Sequence, residues 1–278
     1  MMLKELVDNL DAGVLVPLLG LCVFGYWLIK TSLGYRALVE SRVRRNMMSP
    51  AFPWAFLLLW LCVTMVAALT VDWSSAASSE PGRVLAQTIT QAVINTIFGV
   101  GGLMLARNFF ARRLKGFGMN FKNIPRDGIC AAVYLFAGWP VVLAALQVTL
   151  WAGKLIYGGD YQIEQHEELR LLQTHTQVPI RAAILISGAI VTPFFEEVLF
   201  RGLIQSAIRS LVRGPWIAIA ISSAVFAAVH PQGHWAGIFI MGMLFGYAYE
   251  KSGSLFRPMF IHALFNGLTL AVVMSGQH

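Results

Sequence analysis

Glu196, Glu197 and Arg201 stand in TPFFEEVLFRG, residues 192 to 202, inside a strongly apolar stretch. Glu197 and Arg201 are spaced i,i+4, so on a helix they share a face and can pair, which offsets the cost of burying either charge. Glu196 is turned about 100° from Glu197 and has no partner on its own helix. Two further i,i+4 pairs follow: Phe226 with His230 in FAAVH, and His262 with Asn266 in HALFN. A carboxylate shielded from water becomes a stronger base and can take a proton from a water molecule, with a histidine sharing that water. A second imidazole and an amide can donate hydrogen bonds to the oxyanion formed when a carbonyl is attacked. The set therefore suits hydrolysis. Glu196, His230 and His262 also form a zinc ligand set with one open position, and the residue types alone leave both chemistries open.

The elements that carry these residues must bring them to one depth. If the helix holding Glu196 runs to about Leu211 and the chain turns at Arg213 and Gly214, Glu196 lies 17 residues before the turn and His230 17 after it. At 1.5 Å per residue both stand about 25 Å from the turn on antiparallel neighbours. His262 is harder to place. Straight antiparallel spans at 215–230 and 235–250 would leave it near the opposite side of the membrane from His230. For the imidazoles to meet within about 12 Å, the 235–250 element must tilt or GSLFRP must reach back into the bundle, which is tolerated where irregular backbone lines a cavity.

Those helices belong to a membrane. The 278 residues are 57% hydrophobic and only 13% charged, with a mean hydropathy of +0.65, whereas soluble domains carry about 25% charged residues. Crossing a hydrocarbon core takes about 20 helical residues. Apolar runs near 13–30, 51–71, 84–106, 128–152, 179–199, 215–230, 235–250 and 256–274 predict about eight spans, the sixth and seventh short. They lack the alternation of barrel strands, so the expected fold is an all-α polytopic membrane bundle with the site in its C-terminal half. Residues 1–178 are expected to hold about four spans and basic loops, and 179–275 the catalytic helices of the same membrane domain.

Charge orients the bundle. Segments 30–50 and 107–126 are basic and are expected on the cytoplasmic side, whereas 72–83 is nearly neutral and 153–178 is acidic. The N-terminus lacks a basic region and a small-residue cleavage site, so no cleavable signal is expected and both termini are placed outside. A net charge of +7 is accounted for by these loops and by anionic lipid, without a nucleic-acid partner. Cys22, Cys62 and Cys130 have neither metal-ligand spacing nor loop positions suited to disulfides.

The motifs are similar to a known set. EEVLFR, FAAVH and HALFN resemble the EExxxR, FxxxH and HxxxN motifs of the CPBP family of intramembrane proteases, in the same order and at similar spacing. That family includes the type II CAAX prenyl endopeptidase and bacterial homologues linked to bacteriocin processing, immunity and protein sorting. The resemblance covers roughly residues 179–275. It implies that Glu196 activates water, His230 holds the same water, His262 and Asn266 stabilise the oxyanion, and Glu197 with Arg201 braces the site. It further implies a membrane-associated protein or peptide substrate, a multi-pass protein of the bacterial inner membrane, and a glutamate-activated water with no cofactor, zinc being the alternative.

Plainer readings stand beside these. Glu197 with Arg201 could be a structural ion pair, Phe226 packing, and His262 with Asn266 interhelical glue. His166, His175, His234 and His278 fall in expected loops or at the terminus and read as solvated. The glycines at 99, 101, 102, 237, 242 and 246 read as close helix packing. HExxH, GxGD and GxSxG are absent, which removes zinc site-two, aspartyl and rhomboid-like proteases. A non-catalytic immunity or scaffold protein binding a peptide in the same cavity is the rival from another class. A transporter is weaker, because inverted repeats are not evident.

Overall fold

The computed structural model describes residues 34–72 and 79–276, with shorter stretches between residues 18 and 30. The first expected span, the segment 73–78 and His278 lie wholly or largely outside the described residues. Among the described residues from 52 onward, nine helices follow in order: α1 (Phe52–Asp72), α2 (Glu80–Phe109), α3 (Arg113–Phe117), α4 (Ile124–Tyr157), α5 (Glu167–Thr174), α6 (Val178–Leu211), α7 (Pro215–Ala228), α8 (Trp235–Ser252) and α9 (Phe256–Met274). Among the described residues five helical segments are long and apolar enough to cross a bilayer: 52–71, 80–109, 121–157, 178–211 and 256–274. The chain is a multi-pass integral membrane protein with an all-α fold.

Local sequence explains the boundaries. Ser79 caps α2, its Oγ accepting from Gly82 N–H at 3.2 Å. Prolines open α4, α6 and α7 within the first two positions, where the missing N–H has no partner to lose. Gly253, at φ 66°, ends α8 in the left-handed conformation.

α6 is not a uniform α-helix. Residues Ser187–Val191 and Glu197–Gln205 are wound as π-helix, with the α-helical turn Thr192–Glu196 between them. Such bulges recur at functional sites because they re-aim side chains and loosen the carbonyl ladder. The core packs around this helix: Phe195, Leu199, Phe200, Leu203 and Ile204 are all fully buried with Phe245 and Ile261.

The expected basic segments come together at one end. Met47 N–H donates to the Phe109 carbonyl and Ala111 N–H to the Arg45 carbonyl. The acidic segment 158–177 packs at the other end, where Tyr161 lies against Gly153 and Ile163 against Gly233. Near the basic end the chain between α8 and α9 does reach into the bundle. Residues 254 to 258 are all buried, and Leu255 N–H donates to the Gly118 carbonyl at 2.9 Å.

Five of the six singled-out glycines are tightly packed. A Cβ would stand 2.5 Å from Phe194 at Gly99, 2.6 Å from Val198 at Gly102, 2.9 Å from Leu146 at Gly237, 2.9 Å from Ser223 at Gly242 and 2.7 Å from Gln205 at Gly246. Gly101 differs, since the nearest atom would be 4.0 Å away. Its place does not demand glycine.

Candidate active site

Glu196 ends the α-helical turn of α6, and its carboxylate meets both expected histidines. His230 Nε2 is 3.9 Å from Oε1, and His262 Nε2 is 3.6 Å from Oε2. The two imidazoles therefore share one carboxylate, well within the 12 Å limit. The equal-depth reading of Glu196 and His230 holds, and the buried 254–258 segment starts α9 deep enough for His262 to reach them.

The other ring nitrogens fix the tautomers. His230 Nδ1 is 2.6 Å from the Phe226 carbonyl. A carbonyl only accepts, so Nδ1 carries the hydrogen, and in the neutral ring Nε2 presents a lone pair toward Glu196. His262 Nδ1 lies 3.1 Å from Glu197 Oε1. The same reasoning turns its Nε2 lone pair toward Glu196 when Glu197 is ionised.

Glu197 thus has two neighbours. Its Oε2 is 3.2 Å from Arg201 Nε, and both side chains are fully buried. The contact is short but misaligned, for neither atom makes a hydrogen bond. The π-helical winding of residues 197–205 explains why i,i+4 spacing brings charges close without aligning them. The Arg201 guanidinium lies 4.7 Å from the Phe226 ring centre and 5.4 Å from that of Phe245, so aromatic faces also hold it. Phe226 packs at the centre of the cluster, 4.7 Å from the His230 ring and 5.9 Å from that of His262. His262 stacks on Phe245 at 4.7 Å.

Asn266 lines the same cavity but is engaged, its Nδ2 donating to the Gly188 carbonyl at 2.8 Å. That carbonyl lies in the first π segment, where the helical ladder is interrupted. One of the two amide hydrogens remains.

The cavity has a volume of about 350 Å³ and is lined by Glu196, His230, His262, Phe226 and Asn266, together with Thr192, His166, Glu168, Leu169 and His234. Three of these correct the reading of 153–178 and of the later histidines as plain solvated loops. The His166 ring lies 4.2 Å from that of His234, His234 Nε2 is 2.7 Å from the Glu164 carbonyl, and Glu168 stands 3.7 Å from His166. His166 beside it holds the Glu168 carboxyl below the usual range. Burial, then the neighbouring His166, lowers the His234 imidazole. His175 is buried as well. Sequence reasoning missed this mouth because its residues are distant in sequence and carry no spacing signal. Thr192 was within reach, four residues before Glu196 and on the same face.

Among the described residues no group of three His, Cys, Asp or Glu side chains is arranged to hold a metal ion.

Residues 178–268 match the model of the Rce1-like type II CAAX prenyl endopeptidases, and this stretch holds every one of the seven expected site residues. The segment belongs to that family. The Rce1-like segment begins with α6 and reaches into α9, so it contains both π segments and the complete histidine–carboxylate cluster. Relatives agree with it. The chain is 30% identical over 121 residues to the membrane-embedded CAAX protease MroQ of Staphylococcus aureus, covering 41% of this chain and 47% of that protein. It is 30% identical over 156 residues to YdiL of Bacillus subtilis, named as a candidate membrane peptidase, covering 55% of this chain and 61% of that one. An Escherichia coli protein of 24.3 kDa without an assigned function is 27% identical over 130 residues, 45% of this chain and 59% of that one. The chain thus spans about half to three fifths of the curated relatives it matches. No solved structure matches it.

Proposed function

We propose that the protein is an intramembrane endopeptidase that hydrolyses a peptide bond of a membrane-associated protein or peptide, with water activated by Glu196 and His230. The observation that carries this reading is the single carboxylate set between two imidazole Nε2 atoms, 3.9 and 3.6 Å away, on the wall of a cavity. With both Nδ1–H groups committed, the cluster faces water as acceptors only. A water donating its hydrogens to Glu196 and His230 keeps an oxygen lone pair for the scissile carbonyl carbon. As the C–O bond forms, one O–H bond breaks and its proton passes to Glu196. That proton then goes to the departing amide nitrogen when the C–N bond breaks, leaving a new amine and a new carboxyl group.

The oxyanion needs donors. His262 can donate from Nε2 while it shares the proton that Glu196, 3.6 Å away, has taken from water, before that same proton passes to the departing amide nitrogen. Asn266 has one amide hydrogen beyond its bond to Gly188. Glu197 orients His262, and Arg201 holds Glu197. No step is routed through zinc. Stoichiometric zinc in the purified protein that disappears on changing Glu196, His230 or His262 would replace this mechanism.

The cavity mouth lies at the end carrying the acidic segment, opposite the basic segments around Arg45 and Ala111. By the positive-inside rule the mouth faces outward, as in an inner-membrane protein acting on a substrate from the outer side. Trapping with Glu196→Gln tests the reading: the variant should fold, retain bound peptide and cleave none. A non-catalytic peptide-binding protein would keep its full function in that variant.

A further inference from the structure

Six helical threonines, at positions 70, 88, 96, 149, 174 and 269, turn the hydroxyl back to a main-chain carbonyl three or four residues earlier. Thr192 does not. Its carbonyl at i−4 would be that of Gly188, which Asn266 Nδ2 already occupies at 2.8 Å, and the π turn between them shifts the ladder. Instead Thr192 Oγ accepts from Asn95 Nδ2 at 3.3 Å. Asn95 is itself fixed, because its Oδ1 accepts from Trp60 Nε1 at 3.0 Å and from Gln91 Nε2 at 2.8 Å. Those two donors leave the Asn95 amide only one way round, with Nδ2 toward Thr192. The Thr192 oxygen is therefore held as an acceptor on one side, and its own hydrogen has no acceptor among the described residues.

That hydroxyl lines the cavity that holds Glu196. Thr192 and Glu196 bound one intact α-helical turn, which sets their Cβ atoms about 5–6 Å apart on the same face. A carbonyl attacked by water on Glu196 places its oxygen within reach of a donor one turn away. The expected donors are partly spoken for: neutral His262 offers a lone pair at Nε2, and Asn266 spends one amide hydrogen on Gly188. A ready O–H stands beside them.

We infer that Thr192 is a further substrate-touching residue, donating its hydroxyl hydrogen to the scissile carbonyl as the oxyanion forms, and that Asn95, Trp60 and Gln91 are positioning residues that hold it in that orientation. This rests on the proteolytic reading above. It also gives α1 and α2, which lie outside the Rce1-like segment, a defined part in the chemistry.

The experiment uses the full chain in lipid nanodiscs and an internally quenched peptide chosen because the wild type cleaves it. Thr192→Val should lower kcat at least about tenfold, in the direction of the 10²–10³ loss for one oxyanion donor, with KM within about twofold. Thr192→Ser, which restores the hydroxyl, should recover most of kcat. Asn95→Asp keeps both acceptor bonds but cannot donate to Thr192, and it should lower kcat by itself while adding little to Thr192→Val, as residues acting as one unit do. A Thr192→Val enzyme with wild-type kcat, or one matched by Thr192→Ser in its loss, overturns the inference. Glu196→Gln runs alongside: cleavage by that variant contradicts the proteolytic reading itself, whatever Thr192 does.

Discussion

Glu197 and His262 are joined across two helices by a 3.1 Å contact between Oε1 and Nδ1. This bond decides which imidazole nitrogen faces Glu196, so the second glutamate of the EE pair sets the protonation pattern of the cavity. Glu197→Gln should fold with little change in volume yet lower kcat at least about tenfold, because the amide can present a donor where His262 needs an acceptor. Kinetics of the purified variant, with KM followed separately, check this.

Among the described residues, Glu197 is the acid within ion-pair distance of Arg201. Removing Glu197 altogether by Glu197→Ala leaves a buried guanidinium, and breaking such a pair costs about 3–5 kcal/mol. Thermal or denaturant unfolding in detergent should show that loss. The double change Glu197→Gln with Arg201→Met should cost less than the sum of the two single changes.

Gly242 packs α8 against α7, where a Cβ would meet Ser223 Cβ at 2.9 Å and its main-chain Cα at 3.2 Å. Gly242→Val should destabilise by about 1–3 kcal/mol through overpacking. Gly101→Ala, with its nearest neighbour at 4.0 Å, should be neutral within about 0.5 kcal/mol. The unfolding midpoints of the two variants, compared side by side, test the contrast.

The cavity mouth should respond to pH. Burial lowers the His234 imidazole in the folded protein, so neutral His234 contributes stability above its ordinary value of about 6.5. That contribution is lost as pH falls below it toward the lowered value. Two imidazoles in tilted contact, with Glu168 beside His166 and His230 lining the same cavity, tie the segment around Glu164 to the start of α8. Hydrogen exchange of residues 160–176, corrected for intrinsic rates, should be faster at pH 5.5 than at 7.5. In His234→Gln the difference should shrink.

Much of this was legible in the sequence, for reasons that differ by residue. Glu196 and His230 sit at equal chain distance from one turn, so helical rise alone brought them level. His262 required the 254–258 segment to enter the bundle, a choice between two routes that hydropathy leaves open. The π segments of α6 were invisible, because TPFFEEVLFRG reads as a regular helix; the widened turns lie where α6 packs closely on Gly99 and Gly102 and where Phe117 sits against Gly202. The mouth formed by His166, Glu168 and His234 was invisible for another reason: polar residues in a loop read as solvated until the fold sets two loops against each other. Asn95 hid as one amide in an apolar span, and its meaning depends on Thr192 nearly a hundred residues later.

In the proposed reaction Glu196 delivers water to a peptide carbonyl. The most direct measurement presents a peptide trapped by Glu196→Gln to the wild type in ¹⁸O-labelled water and weighs the products. One ¹⁸O atom should enter the new carboxyl terminus with the wild type, and no new terminus should form with Glu196→Gln. Cleavage at wild-type rate by Glu196→Gln, or an intact peptide with both proteins, would rule out Glu196 as the base of a peptide hydrolase.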